Sequence, residues 1–233
     1  MVDTDENAIK VSEIDDINSY ELDIIDMSTK TDVDGIPPSS GISIICSISD
    51  KQFACGFQSG TIGIWDLETS KALKYIDAHD SYLGDLKSFD KSKLISCSDE
   101  IIKIWNLQTY QCVQVIYGHS SPIFCLDLTL DGNLLSCSSD KKVKLWRIET
   151  GTKLKSTKFE DSVFCVKMLD DDLIAVGLSN GKILIYDLIK NKIVKTILTE
   201  NNTSGISRFN FLSNGNLLSG SYDGAIRKWK IFD

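Results

Sequence analysis

The sequence lacks the features that mark several other classes of protein. Its 233 residues contain 2 histidines and 3 prolines, and its 7 cysteines include no CxxC pair. Two histidines leave few ligands for a histidine-based metal site, and an odd number of cysteines fits a disulfide framework poorly. No apolar run approaches the roughly 18 residues of a membrane-spanning helix. We therefore expect no metal, no cofactor and no membrane partner, and we interpret the cysteines as small apolar core residues in a reducing compartment.

The net charge of the chain comes from its first 36 residues. Residues 1–36 hold eleven acidic residues and two lysines, a net charge of −9, whereas the whole chain carries −8. The remaining residues are almost neutral, so they offer no basic field for phosphate, and we predict no nucleic-acid partner. The acidic start, MVDTDENA, lacks the apolar core of a secretory signal. We expect a cytoplasmic location, with a nuclear one as the alternative.

Short strands separated by turns dominate the stretch from Gly118 to Ile148, GHSSPIFCLDLTLDGNLLSCSSDKKVKLWRI. The segments IFCLDL, LLSCS and VKLWRI are apolar or alternate between polar and apolar residues, as half-buried strands do. Asp131-Gly132 stands between the first two segments and is a strong hairpin signal. The stretch therefore predicts an antiparallel sheet of at least three strands.

The same pattern recurs along the chain at a nearly constant spacing. Similar segments end at five aromatic residues that are 40, 41, 40 and 43 residues apart: Trp65, Trp105, Trp146, Tyr186 and Trp229. This period, with Gly-His upstream and Trp-Asp at a strand end, resembles the WD-repeat β-propeller family. The resemblance covers roughly residues 37–233. It implies an all-β fold of five four-stranded blades, near residues 41–76, 81–116, 121–158, 162–198 and 205–232.

Propellers of this family usually have seven blades, so an open or fragmentary propeller is the alternative, and the oligomeric state stays open. The last repeat contains only three strand segments. In the family, an N-terminal strand completes such a blade. The segment from Ser19 to Asp26, SYELDIID, alternates Tyr20, Leu22 and Ile24 on one face. We assign the closing strand to residues 20–26, with residues 9–14 as the competing candidate.

The resemblance also implies a buried hydrogen-bonded tetrad in each well-formed blade. It joins a His before the first strand, a Ser in the second, an Asp in the next turn and the Trp of the third. The matching residues are His79, Ser96, Asp99 and Trp105 in the second blade, His119, Ser136, Asp140 and Trp146 in the third, and Ser219, Asp223 and Trp229 in the fifth. A single active site would not recur in two repeats, so we interpret these as fold residues and predict no catalytic residue.

Two further sets of residues are candidates for binding. Family positions that face the propeller rim are occupied here by Phe124, Phe164, Ser139, Ser179 and Tyr222. An exposed patch with two Phe and a Tyr would suit a protein or peptide, although the two Phe could instead pack between blades. One matched position of the innermost strands holds Lys87, Asp127, Lys167 and Asn210, which we hypothesise to form a ring of alternating charge in the central channel.

These observations favour a non-catalytic protein–protein interaction scaffold that binds a protein or peptide. A substrate-recruiting subunit of a ubiquitin ligase is the alternative. Propellers of that class place arginines at the rim, whereas Arg147, Arg208 and Arg227 do not repeat in phase. A carboxylate-dependent hydrolase is a weaker alternative. Its acidic candidate, the run from Asp170 to Asp172, stands where the fourth blade needs a turn.

Overall fold

The computed structural model describes residues 40–198, 204–212 and 215–231. These residues form nineteen strands and no helix, which confirms the predicted all-β fold. They lie in five antiparallel sheets, within which strands adjacent in sequence are adjacent in space. Described residues up to Glu160 form one compact unit of three sheets, and those from Asp161 form a second unit of two sheets.

The first unit holds twelve of the described strands. The first sheet consists of β1 (Ile42–Ser47), β2 (Gln52–Phe57), β3 (Thr61–Asp66) and β4 (Lys71–Asp77). The second sheet consists of β5 (Leu83–Phe89), β6 (Lys93–Ser98), β7 (Ile101–Asn106) and β8 (Cys112–Tyr117). The third sheet consists of β9 (Ile123–Leu128), β10 (Leu134–Ser138), β11 (Lys142–Arg147) and β12 (Thr152–Lys158).

The second unit holds the other seven described strands. The fourth sheet consists of β13 (Val163–Met168), β14 (Leu173–Leu178), β15 (Ile183–Asp187) and β16 (Lys192–Ile197). The fifth sheet consists of β17 (Ile206–Phe211), β18 (Leu217–Ser221) and β19 (Ile226–Trp229). The proposed closing strand at residues 20–26 and its competitor at 9–14 lie outside the described residues, so the completion of this sheet by the N-terminal segment stays a prediction.

Apolar packing between neighbouring sheets forms the core of the first unit. Side chains alternate between the two faces of a strand, so a sheet between two others buries both faces. Leu83, Leu86 and Leu94 of the second sheet pack on Ile62 and Ile64 of the first. The opposite face of the second sheet packs on the third sheet through a second cluster, which includes Ile95, Ile102, Ile104, Ile123, Leu126 and Leu134.

The inner strands of the second and third sheets also approach closely. A Cβ at Gly84 would lie 2.2 Å from the carbonyl oxygen of Ile123, so only glycine fits there. The next residue, Asp85, is buried, and its Oδ2 accepts a hydrogen bond of 2.9 Å from the backbone N–H of Leu126. A carboxylate that accepts a backbone donor of the neighbouring sheet joins the two sheets at this point. Asp85 has no counterpart in the other repeats, and the sequence pattern did not reveal its role.

The two sheets of the second unit pack in a similar way. The thiol of Cys165 in β13 donates to the carbonyl oxygen of Ile206 in β17, with 3.2 Å between sulfur and oxygen. A Cβ at Gly177 would lie 2.5 Å from the sulfur of Cys165. No two of the seven cysteines, all of which lie in described residues, form a disulfide, and five of them are buried.

Strand register gives each position of one sheet a counterpart in the others. A register shift near the start of the first strand occurs in all five sheets, between Leu83 and Asp85 in the second sheet for example. The second pair after this shift contains, on the second strand of each sheet, Cys55, Ser96, Ser136, Val176 and Ser219. This position carries the serine of the predicted tetrads, and its variation determines the chemistry of each sheet.

Candidate functional site

The third sheet brings its four predicted tetrad residues together. The indole Nε1–H of Trp146 donates to Ser136 Oγ at 2.8 Å, and His119 Nε2 lies 2.8 Å from the same oxygen. His119 Nδ1 lies 2.9 Å from Asp140 Oδ2. The side chains of His119 and Asp140 are buried. The network therefore links the loop before β9, strands β10 and β11, and the turn between them.

The chemistry of the groups fixes the direction of each hydrogen bond. An indole nitrogen only donates and an ionised carboxylate only accepts. His119 therefore donates from Nδ1 to Asp140, and in the neutral imidazole that its lowered pKa favours, Nε2 accepts from the hydroxyl of Ser136. Burial lowers the pKa of His119 to about 4, although the hydrogen bond and charge of Asp140 act in the opposite direction. The network satisfies its buried polar groups with a neutral histidine at pH 7.

A buried lysine, Lys144, extends this network and was missed in the sequence analysis. Its Nζ donates to the carbonyl oxygen of Gly118, lies 3.8 Å from Asp140 Oδ2 and stands 5.9 Å from the ring centroid of Trp146. Burial lowers the pKa of Lys144, while the charge of Asp140 raises it. The sequence did contain a signal: a basic residue stands two positions before the tryptophan in three repeats, at Lys103, Lys144 and Arg227.

The second sheet contains only part of its predicted tetrad. His79 Nε2 lies 2.7 Å from Ser96 Oγ, and Trp105 Nε1–H donates to the same oxygen at 2.9 Å. The prediction for Asp99 was wrong, because its side chain is exposed and makes no contact with His79. The turn between β6 and β7 is one residue shorter than in the third sheet, and Asp99 adopts a left-handed φ of 44° that turns its side chain outward. Lys103 donates to the carbonyl oxygen of Ala78 at 2.7 Å, as Lys144 does to that of Gly118.

The fifth sheet keeps the tryptophan–serine bond but uses its aspartate differently. Trp229 Nε1–H donates to Ser219 Oγ at 2.8 Å. Asp223 is exposed, and Arg227 donates to it at 2.9 Å and 3.3 Å. This bidentate pair lowers the pKa of Asp223. The prediction that Asp223 joins the network of Ser219 and Trp229 was therefore wrong, because its carboxylate is bound by the half-buried guanidinium of Arg227.

The first sheet has no serine at the tetrad position. Cys55 occupies it, and its thiol donates weakly to the carbonyl oxygen of Gly63 at 3.6 Å. Trp65 and Tyr75 pack edge to face with ring centroids 6.3 Å apart, yet the indole N–H of Trp65 and the hydroxyl of Tyr75 are buried without a hydrogen-bond partner. Burial raises the pKa of Cys55 to about 12, so the thiol stays protonated. This sheet replaces the polar network with aromatic packing and leaves two polar atoms unsatisfied.

A second serine, two positions after the tetrad serine, also recurs and was missed. The hydroxyls of Ser98, Ser138 and Ser221 donate to carbonyl oxygens in the loop that precedes the first strand of the same sheet, at 3.2, 2.8 and 3.1 Å. Each bond holds that loop against the end of the second strand. The repeated S-x-S spacing in the sequence was the available signal.

Three of the predicted rim residues come together in the second unit. The rings of Phe164 and Tyr222 meet edge to face with centroids 5.8 Å apart. A Cβ at Gly205 would lie 2.5 Å from the ring of Phe164 and 3.2 Å from the Cα of Ser179, so both residues border this glycine. Phe164 is half-buried, whereas Tyr222 is 72% exposed. Phe164 thus packs between the fourth and fifth sheets and also supports an exposed aromatic ring.

The other two predicted rim residues lie in the first unit. Phe124 occupies the register shift at the start of β9 and is half-buried. The backbone N–H of Ser139, in the turn after β10, donates to the carbonyl oxygen of Pro122 at 3.0 Å. Both residues lie at the end of the third sheet that corresponds to the Phe164–Tyr222 end of the second unit.

The predicted channel residues occupy one register position in four sheets. Lys87, Asp127, Lys167 and Asn210 pair with Ile95, Leu135, Ala175 and Leu218 at matched places in their second strands. The counterpart in the first sheet is Cys46. Burial alone would lower the pKa of Lys87, but the carboxylates of Asp85 and Asp127 raise it. The ammonium group of Lys87 lies 3.9 Å from Asp85 Oδ2, and the ring of alternating charge stays a hypothesis.

Two sequence motifs that could suggest a hydrolase form turns between strands in the described residues. The run from Asp170 to Asp172 forms the turn between β13 and β14, in which the N–H of Leu173 donates to Asp170 O at 3.3 Å. Residues 177–181 read GLSNG, which matches the spacing of a hydrolase nucleophile elbow. That motif joins a strand to a helix, whereas this one joins β14 to β15. Among the described residues, no group of three His, Cys, Asp or Glu side chains could hold a metal ion, and no helix could span a membrane.

Comparison with known proteins adds a family match. The family model described as "WD domain, G-beta repeat" matches residues 70–106, 110–147 and 191–230. Each match begins at the outer strand of one sheet and ends with the third strand of the next, as β4–β7, β8–β11 and β16–β19.

Two curated proteins are similar to this chain. A zebrafish (Danio rerio) protein named "p21-activated protein kinase-interacting protein 1-like" is 27% identical over 214 residues, which are 90% of this chain and 58% of that protein. "Protein SPA1-RELATED 3" of Arabidopsis thaliana is 31% identical over 101 residues, which are 42% of this chain and 12% of that protein. The chain thus spans less than two thirds of either relative.

Replacement of Asp140 with asparagine tests the difference between the two turns. Asp140→Asn removes the carboxylate that faces both His119 and Lys144, and should lower the free energy of unfolding by about 1–3 kcal/mol. Asp99→Asn is the matched control, because Asp99 is exposed and asparagine tolerates its left-handed φ. It should change stability by less than about 0.5 kcal/mol in urea unfolding. Equal losses of unfolding free energy in the two variants would contradict the different roles given to Asp140 and Asp99.

The neutral state of His119 predicts a loss of stability in acid. Between its ordinary pKa of 6.5 and its folded pKa of about 4, the unfolded chain binds a proton that the folded protein does not. The unfolding free energy should therefore fall as pH is lowered through this window, by up to about 1.4 kcal/mol per pH unit for this residue. Urea unfolding at pH 7, 6 and 5 should show a shallower slope for His119→Gln than for the wild type. A slope unchanged by this substitution would show that His119 is not buried in the neutral form.

The unsatisfied indole of Trp65 predicts a stabilising substitution. Cys55→Ser would supply the acceptor that Ser96, Ser136 and Ser219 supply in their sheets, and should raise the free energy of unfolding by about 1 kcal/mol. The gain should vanish in a Trp65→Phe background, which has no indole N–H. Thermal and urea unfolding of the two single variants and the double variant measure this coupling. A gain that persists without the indole would assign the effect to something other than this hydrogen bond.

Proposed function

The chain belongs to the WD-repeat family, and on that basis we propose that it is a non-catalytic scaffold that binds a protein or peptide partner at the Phe164–Tyr222 end of the second unit. The exposed ring of Tyr222 is the observation on which this proposal rests. An aromatic ring that is exposed yet held in place by a second ring loses little conformational freedom when it binds a partner. Ser179 and the carbonyl groups of the adjoining turns would add hydrogen bonds at its margin.

The relatives support a protein partner in general terms. The zebrafish relative is named for its interaction with a protein kinase. Because this chain spans 58% of that protein, a kinase partner for this chain is only a proposal. The carboxylate-dependent hydrolase gains no support from the described residues, because its acidic candidate, the run from Asp170 to Asp172, forms the turn between β13 and β14. The ligase alternative also lacks a specific observation, since Arg227 is engaged by Asp223.

Substitution of Tyr222 tests the proposed binding surface. Affinity capture with Tyr222→Asp should lose the proteins that the wild type retains, because a charge replaces the exposed ring at the centre of the surface. Leu130→Asp is the matched control: Leu130 is also 72% exposed, but it lies in the turn between β9 and β10, at the opposite end of its sheet. Quantitative mass spectrometry of the captured proteins is the measurement.

A photo-crosslinking residue makes this experiment direct. Placed at position 222 it should join the partner covalently, whereas at position 130 it should not. Partners retained equally by Tyr222→Asp and the wild type would contradict the proposal. Recovery of ubiquitin-ligase core subunits by the wild type would instead favour the ligase alternative.

A further inference from the structure

The outer strand of the second sheet, β8, differs in charge from the other described outer strands. β4, β12 and β16 each contain at least two lysines, whereas β8, with the sequence CVQVIY, contains no charged residue. The outer strand of a sheet exposes unpaired backbone N–H and C=O groups, and lysines on it oppose pairing with another chain. β8 lacks this protection, although it pairs on one side only, with β7.

The side chains of β8 also form an exposed apolar stripe. Val113, Val115 and Tyr117 are 56%, 38% and 70% exposed, and their alternate spacing places them on one face of the strand. Ile116 on the other face is buried, and the turn between β11 and β12 covers it, because a Cβ at Gly151 would lie 3.2 Å from Ile116 and 2.3 Å from Gln114. One face of β8 is thus anchored in the unit, while the other face and the outer edge are exposed.

The outer strands of the two sheets next to the second sheet carry mostly positive charge. In the first unit, β8 is the outer strand of the sheet between the first and third sheets, whose outer strands are β4 and β12. These two strands carry one carboxylate, Asp77, and five lysines, Lys71, Lys74, Lys153, Lys155 and Lys158. This field favours an acidic segment and disfavours a second copy of the same lysine-rich surface.

We propose that β8 is a second binding site, at which an extended acidic peptide with alternating apolar side chains adds as a fifth strand to the second sheet. The main-chain groups of β8 would give the hydrogen bonds, and the stripe of Val113, Val115 and Tyr117 would contact the apolar face of the peptide. The acidic residues would face the flanking lysines. This site is separate from the proposed Tyr222 surface, and neither depends on the other.

The probe for this site is a fluorescent nine-residue peptide of alternating glutamate and valine. It should bind the full chain, whereas a peptide of the same composition without alternation, and one with lysine in place of glutamate, should bind at least about tenfold more weakly. Fluorescence anisotropy gives the affinities. Hydrogen exchange of residues 112–117 should slow when the alternating peptide binds, because new main-chain hydrogen bonds protect the amides of the edge strand.

Paired protein variants locate the site. Val113→Asp/Val115→Asp should weaken binding of the alternating peptide by about tenfold or more, by loss of the apolar contacts and by charge repulsion. Val113→Thr/Val115→Thr keeps β-branched, uncharged residues and should give a smaller loss. Ile193→Asp/Val194→Asp on β16 is the matched control, because these residues are also exposed apolar residues of an outer strand, and it should leave the affinity unchanged.

Three results would overturn the proposal. The first is equal affinity of the alternating and the non-alternating peptides. The second is binding that leaves hydrogen exchange of residues 112–117 unchanged. The third is a concentration-dependent dimer in sedimentation velocity that Val113→Asp/Val115→Asp abolishes, since β8 would then be an interface between copies of this chain.

Discussion

The hydrogen bond from an indole N–H to a buried serine hydroxyl is the interaction around which each well-formed sheet is built. It joins the second strand to the third in the second, third and fifth sheets, at 2.8 to 2.9 Å. The serine hydroxyl can bind a further partner, and His79 or His119 fills that role in the first unit. A buried histidine in turn needs an acceptor, which only the third sheet provides as a carboxylate, and that carboxylate attracts Lys144. The sheets therefore differ in how many of these successive hydrogen-bond partners they contain.

Much of this architecture can be predicted from the sequence because it depends on repetition. The spacing of Trp65, Trp105 and Trp146 predicts the sheets, and the strand register follows from the turn residues between them. The position of Asp99 could not be predicted in this way. Deletion of one residue in its turn changes the backbone conformation, and the same residue type then points to solvent instead of to a histidine. A motif identifies the residue types of the tetrad, whereas the length of the turn decides whether they meet.

Features that occur in one repeat only could not be predicted from the repeat pattern. Asp85 is one aspartate among many in the sequence, and only the approach of β5 to β9 shows that it accepts a backbone N–H from the neighbouring sheet. The role of Lys144 could have been predicted, because a basic residue recurs two positions before the tryptophan. It was missed because lysine in a strand is usually interpreted as a surface residue, whereas here its ammonium group lies over an indole ring and is buried against a carbonyl oxygen.

The unit that repeats in sequence is not the unit that forms a sheet, and this difference explains where the chain can vary. Each family match starts with an outer strand and ends in the next sheet, so β8 belongs to the second sheet in space and to the third-sheet repeat in sequence. The hydrogen-bonded network involves the loop before the first strand of a sheet, its second and third strands, and the turn that joins the second strand to the third. None of its residues lies on an outer strand. The outer strands are therefore free of its constraints. Their sequences respond to the chemistry of an exposed edge, which lysines protect on β4, β12 and β16, and which the uncharged β8 leaves open to pairing.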